Sequence, residues 1–250
     1  PYLPFYLPFT SHRNADKIGS LLDLSEDAAL NVAVPTSDAA LRFPARDLEY
    51  GVLGGGVPPN VVMILLECWR HDMMNATVTP NIAAFAERAV VFDNHLSSGN
   101  STTSGLFGLF YGLHPTYWTA VKAHSNAIRN PPLIDAMTDR GYAFGVFADS
   151  KFERHKIKDT VFRDIEVHES FAGGDDAERD ASMARQVMAF IDERAASPEP
   201  TLLFAFFKAS HTGYHYPPDH APFRPSRRLN PAIADGADAG LYLNDYRNAL

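Results

Sequence analysis

Three stretches of this chain are apolar almost without a break, and each runs to a polar end. Val61-Val62-Met63-Ile64-Leu65-Leu66 stops at Glu67, Tyr142 to Phe147 leads to Asp149, and Thr201 to Phe207 stops at Lys208. Short runs of this kind, bounded by proline, glycine or charge, predict strands of a covered parallel sheet. The first, which follows Pro58-Pro59, reads as a strand buried on both faces in the middle of that sheet. Elsewhere the spacing is helical. Thr79-Pro80 supplies an N-cap and a first-turn proline, and Ile82, Phe85 and Ala86 then predict a buried face. Further helices are predicted from Pro131 to Arg140, from Glu178 to Arg194 with Ala184, Val187, Met188 and Ile191 on one face, and from Leu241 onward. Ala89 to Phe92 predicts a short strand. Leu96 to Gly105 is a hydroxyl-rich loop that runs into a helix over Leu106 to Gly112. Gly105, Gly108 and Gly112 would let that helix lie close to the sheet.

Strands that alternate with helices predict an α/β fold: a mostly parallel central sheet flanked by helices on both faces. Residues 58–250 are expected to form this domain, and residues 1–57 a lead-in. The lead-in opens with prolines and aromatics over Pro1 to Phe9, carries a possible short helix from Asp16 to Leu24, is extended from Pro35 to Pro44, and hinges at Gly54-Gly55-Gly56. Residues 212–240 predict a long irregular loop, and a loop of that length is uncommon without a role. The 250 residues, 46% of them hydrophobic, suffice for one such domain with a core. The net charge of −8 argues against a nucleic-acid partner. The single cysteine, Cys68, excludes an internal disulfide and is expected to be a small buried residue. No apolar run reaches the ~18 residues of a membrane span. The start at Pro1, inside an apolar segment, is the start expected of a piece of a longer protein.

Ligands of open α/β sheets bind beyond the carboxyl ends of the strands. Glu67 stands at such an end and is the first candidate for chemistry. A serine or threonine hydroxyl needs a base, a metal or a positive field to become a nucleophile. The loop Ser101-Thr102-Thr103-Ser104 offers hydroxyls at a helix N-terminus, where free N–H groups suit an anionic phosphoryl group. A divalent ion held by Glu67 would favour the alkoxide. His211, beyond the third strand, could donate to a substrate oxygen. A hydroxyl before a helix is also the ordinary N-cap, and a histidine is ordinarily structural. The reading rests on the combination.

That combination resembles a known family. Pro59-Asn-Val-Val-Met-Ile-Leu-Leu-Glu67, Arg70-His-Asp72, Thr79-Pro-Asn-Ile82, Ala86-Glu-Arg88, Phe92-Asp-Asn94 and Gly112-Leu-His-Pro115 resemble the N-terminal half of a sulfatase-type domain of the alkaline phosphatase superfamily. The resemblance implies that Glu67 is a metal ligand and that Thr102 is both nucleophile and metal ligand, with Thr103 as the alternate nucleophile after a one-residue slip. Thr102-Thr-Ser-Gly-Leu106 lacks the proline and arginine of the formylglycine motif, so sulfate-ester chemistry is not implied. Threonine is the nucleophile of the phosphoglycerol and phosphoethanolamine transferase branches. Ser97-Ser-Gly-Asn100 with Gly105-Leu-Phe-Gly-Leu-Phe-Tyr-Gly112 is similar to the sulfatase-like inner-membrane proteins of the YejM/PbgA type. Lys208-Ala-Ser-His211 resembles the family's substrate-side histidine motif. The resemblance therefore implies a metal-dependent phosphotransferase or phosphodiesterase-like domain. Its ion would be Mg²⁺ or Mn²⁺, with Ca²⁺ or Zn²⁺ as lesser choices, and Asn100 and His211 would face the substrate. It also implies a membrane lipid or lipid-linked substrate, a location on the periplasmic side of the inner membrane, and a tether of N-terminal transmembrane helices outside this chain. The rival reading is an inactive domain that senses lipid, lipopolysaccharide or a membrane-protein partner. The family's downstream Asp-His-Gly motif, which completes its metal site, does not occur in these 250 residues.

Overall fold

The longest strand takes an inner place in the sheet. In the computed structural model of this chain, which describes residues 43–46, 48–51, 56–123, 129–149, 152, 156–211, 213–227 and 239–250, the strands are β1 (Val61–Leu66), β2 (Ala143–Ala148), β3 (Val167–His168) and β4 (Thr201–Phe207). They lie in the order β1-β4-β2-β3, and every pairing is parallel. Contacts divide the chain into two units, Pro1–Ala40 and Leu41–Leu250, and all described residues belong to the second. The expected helix at Asp16 to Leu24 and the apolar segment Pro1 to Phe9 lie outside the described residues, as do most of the expected hinge and of the extended stretch from Pro35 to Pro44.

After Thr201, the residues of β4 are apolar on both sides because both faces of the strand are covered. Leu202, Phe204 and Phe206 join the larger core cluster, and Leu203 and Ala205 join the smaller one on the opposite face. This is the two-residue period of a strand. The larger cluster is built against α2 (Thr102–Tyr111), which follows α1 (Pro80–Ala86) in the chain. Phe110 of α2 meets the rings of Phe204 and Phe162 edge-on at 5.4 and 5.1 Å, a favoured aromatic geometry. The next helices are α3 (Trp118–Ala123), α4 (Pro132–Thr138) and α5 (Ile157–Thr160). The smaller cluster is covered by α6 (Asp176–Arg194), through Met183 and Val187. Asp175 caps that helix by accepting from Glu178 N at 3.0 Å. The last helix is α7 (Ala239–Asn248).

Several expectations are corrected. β1 is an edge strand, not a central one, and Val62 and Ile64 are 51% and 59% exposed. Val61, Met63 and Leu65 pack on the larger cluster, whereas alternation turns Val62 and Ile64 to the other face, which is open there. Ile82 and Phe85 of α1 are exposed rather than buried. Ala89 to Phe92 is irregular chain between two turns and not a strand. Its backbone bonds are the local ones in which Ala89 N donates to Ala86 O and His95 N to Phe92 O, and it pairs with none of the described strands. The α6 stripe runs through Met183 and Val187, and Met188 points to solvent, one position off the covered face. Cys68 is exposed in a left-handed turn, φ 58°, which strand termination at Glu67 imposes on it. The glycine-rich helix starts at Thr102, four residues earlier than its apolar run, because Ser101 caps it. Gly108 on that helix makes room for Ser98 of the preceding loop, not for the sheet.

Candidate active site

The parallel register brings three strand ends to one place. Leu66 pairs with Phe207, and Ala148 with Phe206, so Glu67, Lys208 and Asp149 leave the sheet together. The backbone of Glu67 stays tied to β4, its N–H donating to Phe207 O at 2.9 Å. Ser210 Oγ donates to Glu67 O at 2.5 Å. Tyr246 of α7 holds the following turn, since its hydroxyl donates to Cys68 O at 2.7 Å and accepts from Arg70 N at 2.9 Å. With its backbone fastened on both sides, the Glu67 side chain is 11% exposed and points into a cleft of about 880 Å³.

Across that cleft stands the first turn of α2. The two jobs open to its hydroxyls fall to different residues. Ser101 is the cap, its Oγ accepting from Ser104 N at 3.3 Å. Thr102 Oγ1 is thereby left for another partner, and it donates to Glu67 Oε1 at 2.5 Å. A serine loop braces this turn from outside, with Ser98 Oγ donating to Ser104 O at 2.8 Å. Thr103 and Asn100 line the same cleft, but the bond to Glu67 is made by Thr102. His211 also lines it, 40% exposed, with Nε2 3.9 Å from Glu67 Oε1. All five residues singled out from the sequence, Glu67, Asn100, Thr102, Thr103 and His211, therefore border one cleft.

Two oxygens 2.5 Å apart can both reach one divalent ion with bonds of ~2.0–2.6 Å, and a carboxylate with a hydroxyl suits a hard cation. Among the described residues no group of three or more His, Cys, Asp or Glu side chains forms a metal cluster. Glu67 and Thr102 fit as part of a coordination shell, not as all of one.

The apolar side of the cleft is made by Leu65, Leu66, Trp69, Leu106, Phe152 and Phe206. Its charged side includes residues that the sequence reading left out. Lys208, buried at the end of β4, has Nζ 3.4 Å from Asp149 and 3.4 Å from Asp176. Arg179 bridges the same two carboxylates at 2.8 Å to Asp176 and 3.6 Å to Asp149. The signal available in the sequence was the charge at a strand end. The pairing with the first turns of α6 was not readable, because it spans about thirty residues of chain.

Asp180 clamps the start of the His211 loop, its Oδ2 accepting from Lys208 N at 2.7 Å and Ala209 N at 2.6 Å. Burial pushes its carboxyl up to about 6 even against those two donors, and the nearby charge of Asp176 adds to the rise. A carboxyl raised in the folded state stabilises the fold fully below its unfolded pKa of about 3.9. That stability is lost as pH rises through about 6. Asp180→Asn keeps an oxygen for the two N–H groups and removes the titration. The wild-type chain is expected to lose on the order of 1–2 kcal/mol relative to the variant between pH 4 and pH 8, after solvent screening. Denaturant melts of both proteins across that range measure the difference, and parallel pH profiles would refute the assignment.

Residues 59–249 match the family model described as Sulfatase. The chain is 32% identical over 167 residues to the inner membrane protein YejM of Salmonella typhimurium, and 29% identical over 167 residues to an uncharacterized protein of Haemophilus influenzae. Each match covers 66% of this chain and 27% of the relative, so the chain spans about a quarter of the length of the curated relatives it matches. Among solved structures, the soluble domain of lipooligosaccharide phosphoethanolamine transferase A from Neisseria meningitidis superimposes with a TM-score of 0.60 at 16% identity. That match covers 80% of this chain and 60% of that domain. At that identity the likeness establishes the fold.

Proposed function

We propose, for a chain that belongs to the sulfatase family, a phosphodiesterase or headgroup-transfer activity in which Thr102 is the nucleophile. The observation that carries this reading is the Thr102 Oγ1–Glu67 Oε1 hydrogen bond at the mouth of α2. The hydroxyl proton lies on the line to the carboxylate, which leaves the lone pairs of the oxygen available to the cleft. The first N–H groups of α2 have no partner inside the helix and stand where phosphoryl oxygens would sit. In the reaction a Thr102 Oγ–P bond forms as the hydroxyl proton passes to Glu67, and the P–O bond to the leaving group breaks, its oxygen taking a proton from solvent. Water or an acceptor alcohol then displaces Thr102 from phosphorus and restores the hydroxyl. His211 stands on the same cleft to donate a hydrogen bond to a substrate oxygen. Glu67 and Thr102 would supply two ligands to a divalent ion, Mg²⁺ or Mn²⁺ before Ca²⁺ or Zn²⁺. When bound, such an ion favours ionisation of the hydroxyl and neutralises phosphoryl charge. The apolar wall of the cleft fits the acyl end of a membrane lipid or lipid-linked substrate. No helix among the described residues is long and apolar enough to cross a membrane. The name of the Salmonella relative supports placement at an inner membrane, and we assign this domain to its periplasmic side.

The test is hydrolysis of a chromogenic phosphodiester by the full chain, with Mg²⁺ or Mn²⁺ and with EDTA, beside calorimetric titration of the same ions. Metal-dependent turnover is expected. The absence of both turnover and a heat of ion binding would overturn this reading in favour of a non-catalytic lipid- or partner-sensing domain. The partial ligand set among the described residues is the observation on that side.

A further inference from the structure

Lysine is among the residues least often buried, and a buried ion pair is weak evidence of a stabilising role. Lys208 is 5% exposed and stands where the central strand opens into the cleft. Its backbone is fixed, because Asp180 accepts from its N–H. Its ammonium meets two carboxylates at equal distance. The distances of 3.4 Å to Asp149 and to Asp176 exceed the ~2.7–2.9 Å of a close charge-assisted bond. The two carboxylates do not depend on it alone. Arg179 bonds Asp176 at 2.8 Å and lies 3.6 Å from Asp149, and His215 Nδ1 lies 3.3 Å from Asp176. Asp149 and Lys208 both line the cleft that holds Glu67 and Thr102. The first turn of α2 and Lys208 thus border one space.

We infer that Lys208 is an anion-binding, specificity-determining residue of this cleft, which takes a non-bridging oxygen of a phosphoryl group while Asp149 competes with that oxygen for the ammonium. An anion entering the cleft draws the ammonium from contacts of 3.4 Å into one near ~2.8 Å, and Arg179 keeps the carboxylates in place. The cleft then selects anionic esters over neutral ones of the same shape. The choice of phosphate as the anion rests on the function proposed above. The placement of the cation does not.

Inorganic phosphate is the probe, titrated calorimetrically into the full chain, with thermal melts of each variant. Lys208→Met is expected to weaken phosphate binding about tenfold or more. Asp149→Asn is expected to tighten it about threefold or more, because the competing carboxylate is gone. A purely structural ion pair predicts the opposite sign for Asp149→Asn, since loosening the wall would weaken binding. The second variant also stands alone if Lys208→Met does not fold. Absence of phosphate binding by the wild-type chain, unchanged affinity in Lys208→Met, or weaker affinity in Asp149→Asn overturns the inference. Phosphate binding with both expected shifts but no phosphodiester turnover keeps this subsite and removes the catalytic reading. Turnover with phosphate affinity indifferent to Lys208 does the reverse.

Discussion

Thr102→Ala is expected to lower kcat/KM on a chromogenic phosphodiester by about 10³-fold or more, equivalent to ~4 kcal/mol of transition-state stabilisation. The size follows from the role, because the variant lacks the oxygen that forms the bond to phosphorus. The fold should survive the change. Thr102 occupies the first position of α2 and does not cap it, and Ser101 remains to accept from Ser104 N. The lost bond to Glu67 leaves a largely buried carboxylate with one donor fewer, a cost of ~1–3 kcal/mol. Thr102→Ser restores the hydroxyl and should recover both stability and part of the rate. Thr103→Ala should cost less than about tenfold, since its hydroxyl is not the one on Glu67. Rates measured on all three, normalised to the folded fraction from thermal melts, check the assignment. Activity of Thr102→Ala within tenfold of wild type removes this threonine from the chemistry.

The largest expected loss of stability lies away from the cleft. Phe204→Ala should destabilise the domain by ~3–5 kcal/mol in urea denaturation, the range for removing a fully buried aromatic ring. Phe204 is 0% exposed in the middle of the central strand. Its ring meets Phe162 at 5.3 Å, Phe110 at 5.4 Å and Phe152 at 6.4 Å. Those neighbours come from α2, from the chain after β2 and from the turn after α5. The void would therefore be walled by separate elements that cannot all collapse into it. Phe85→Ala is the internal control. That ring is 60% exposed, and its removal should cost less than about 1 kcal/mol. Equal losses for the two would contradict the core described here.

The two substitutions divide along a line that also separates what was legible in the chain. Phe204 lies in an unbroken apolar run, and in β4 that run does mean burial on both faces. The same pattern in β1 pointed to the centre of the sheet, whereas β1 lies at its edge with Val62 and Ile64 open. An apolar run records which side chains need cover, not which strand supplies it. The hydroxyl loop had a similar limit. Its composition marked a helix start, but both a cap and a nucleophile were open to it. The structure divides them between Ser101 and Thr102 because one side chain turns back to Ser104 and the next reaches Glu67.

The amino-acid sequence alone determined the α/β class, the three long strands, the carboxylate and imidazole beyond strand ends, and the hydroxyl at a helix start. Backbone conformation follows largely from local periodicity and from proline, glycine and charge at the boundaries. Only the tertiary structure decided the order β1-β4-β2-β3, the contact between Glu67 and Thr102 across 35 positions, and the convergence of Lys208 with Asp149, Asp176 and Arg179. These depend on which elements become neighbours. Crossover connections of a parallel sheet carry each strand past others before it pairs, and the periodicity of a segment holds no record of that choice.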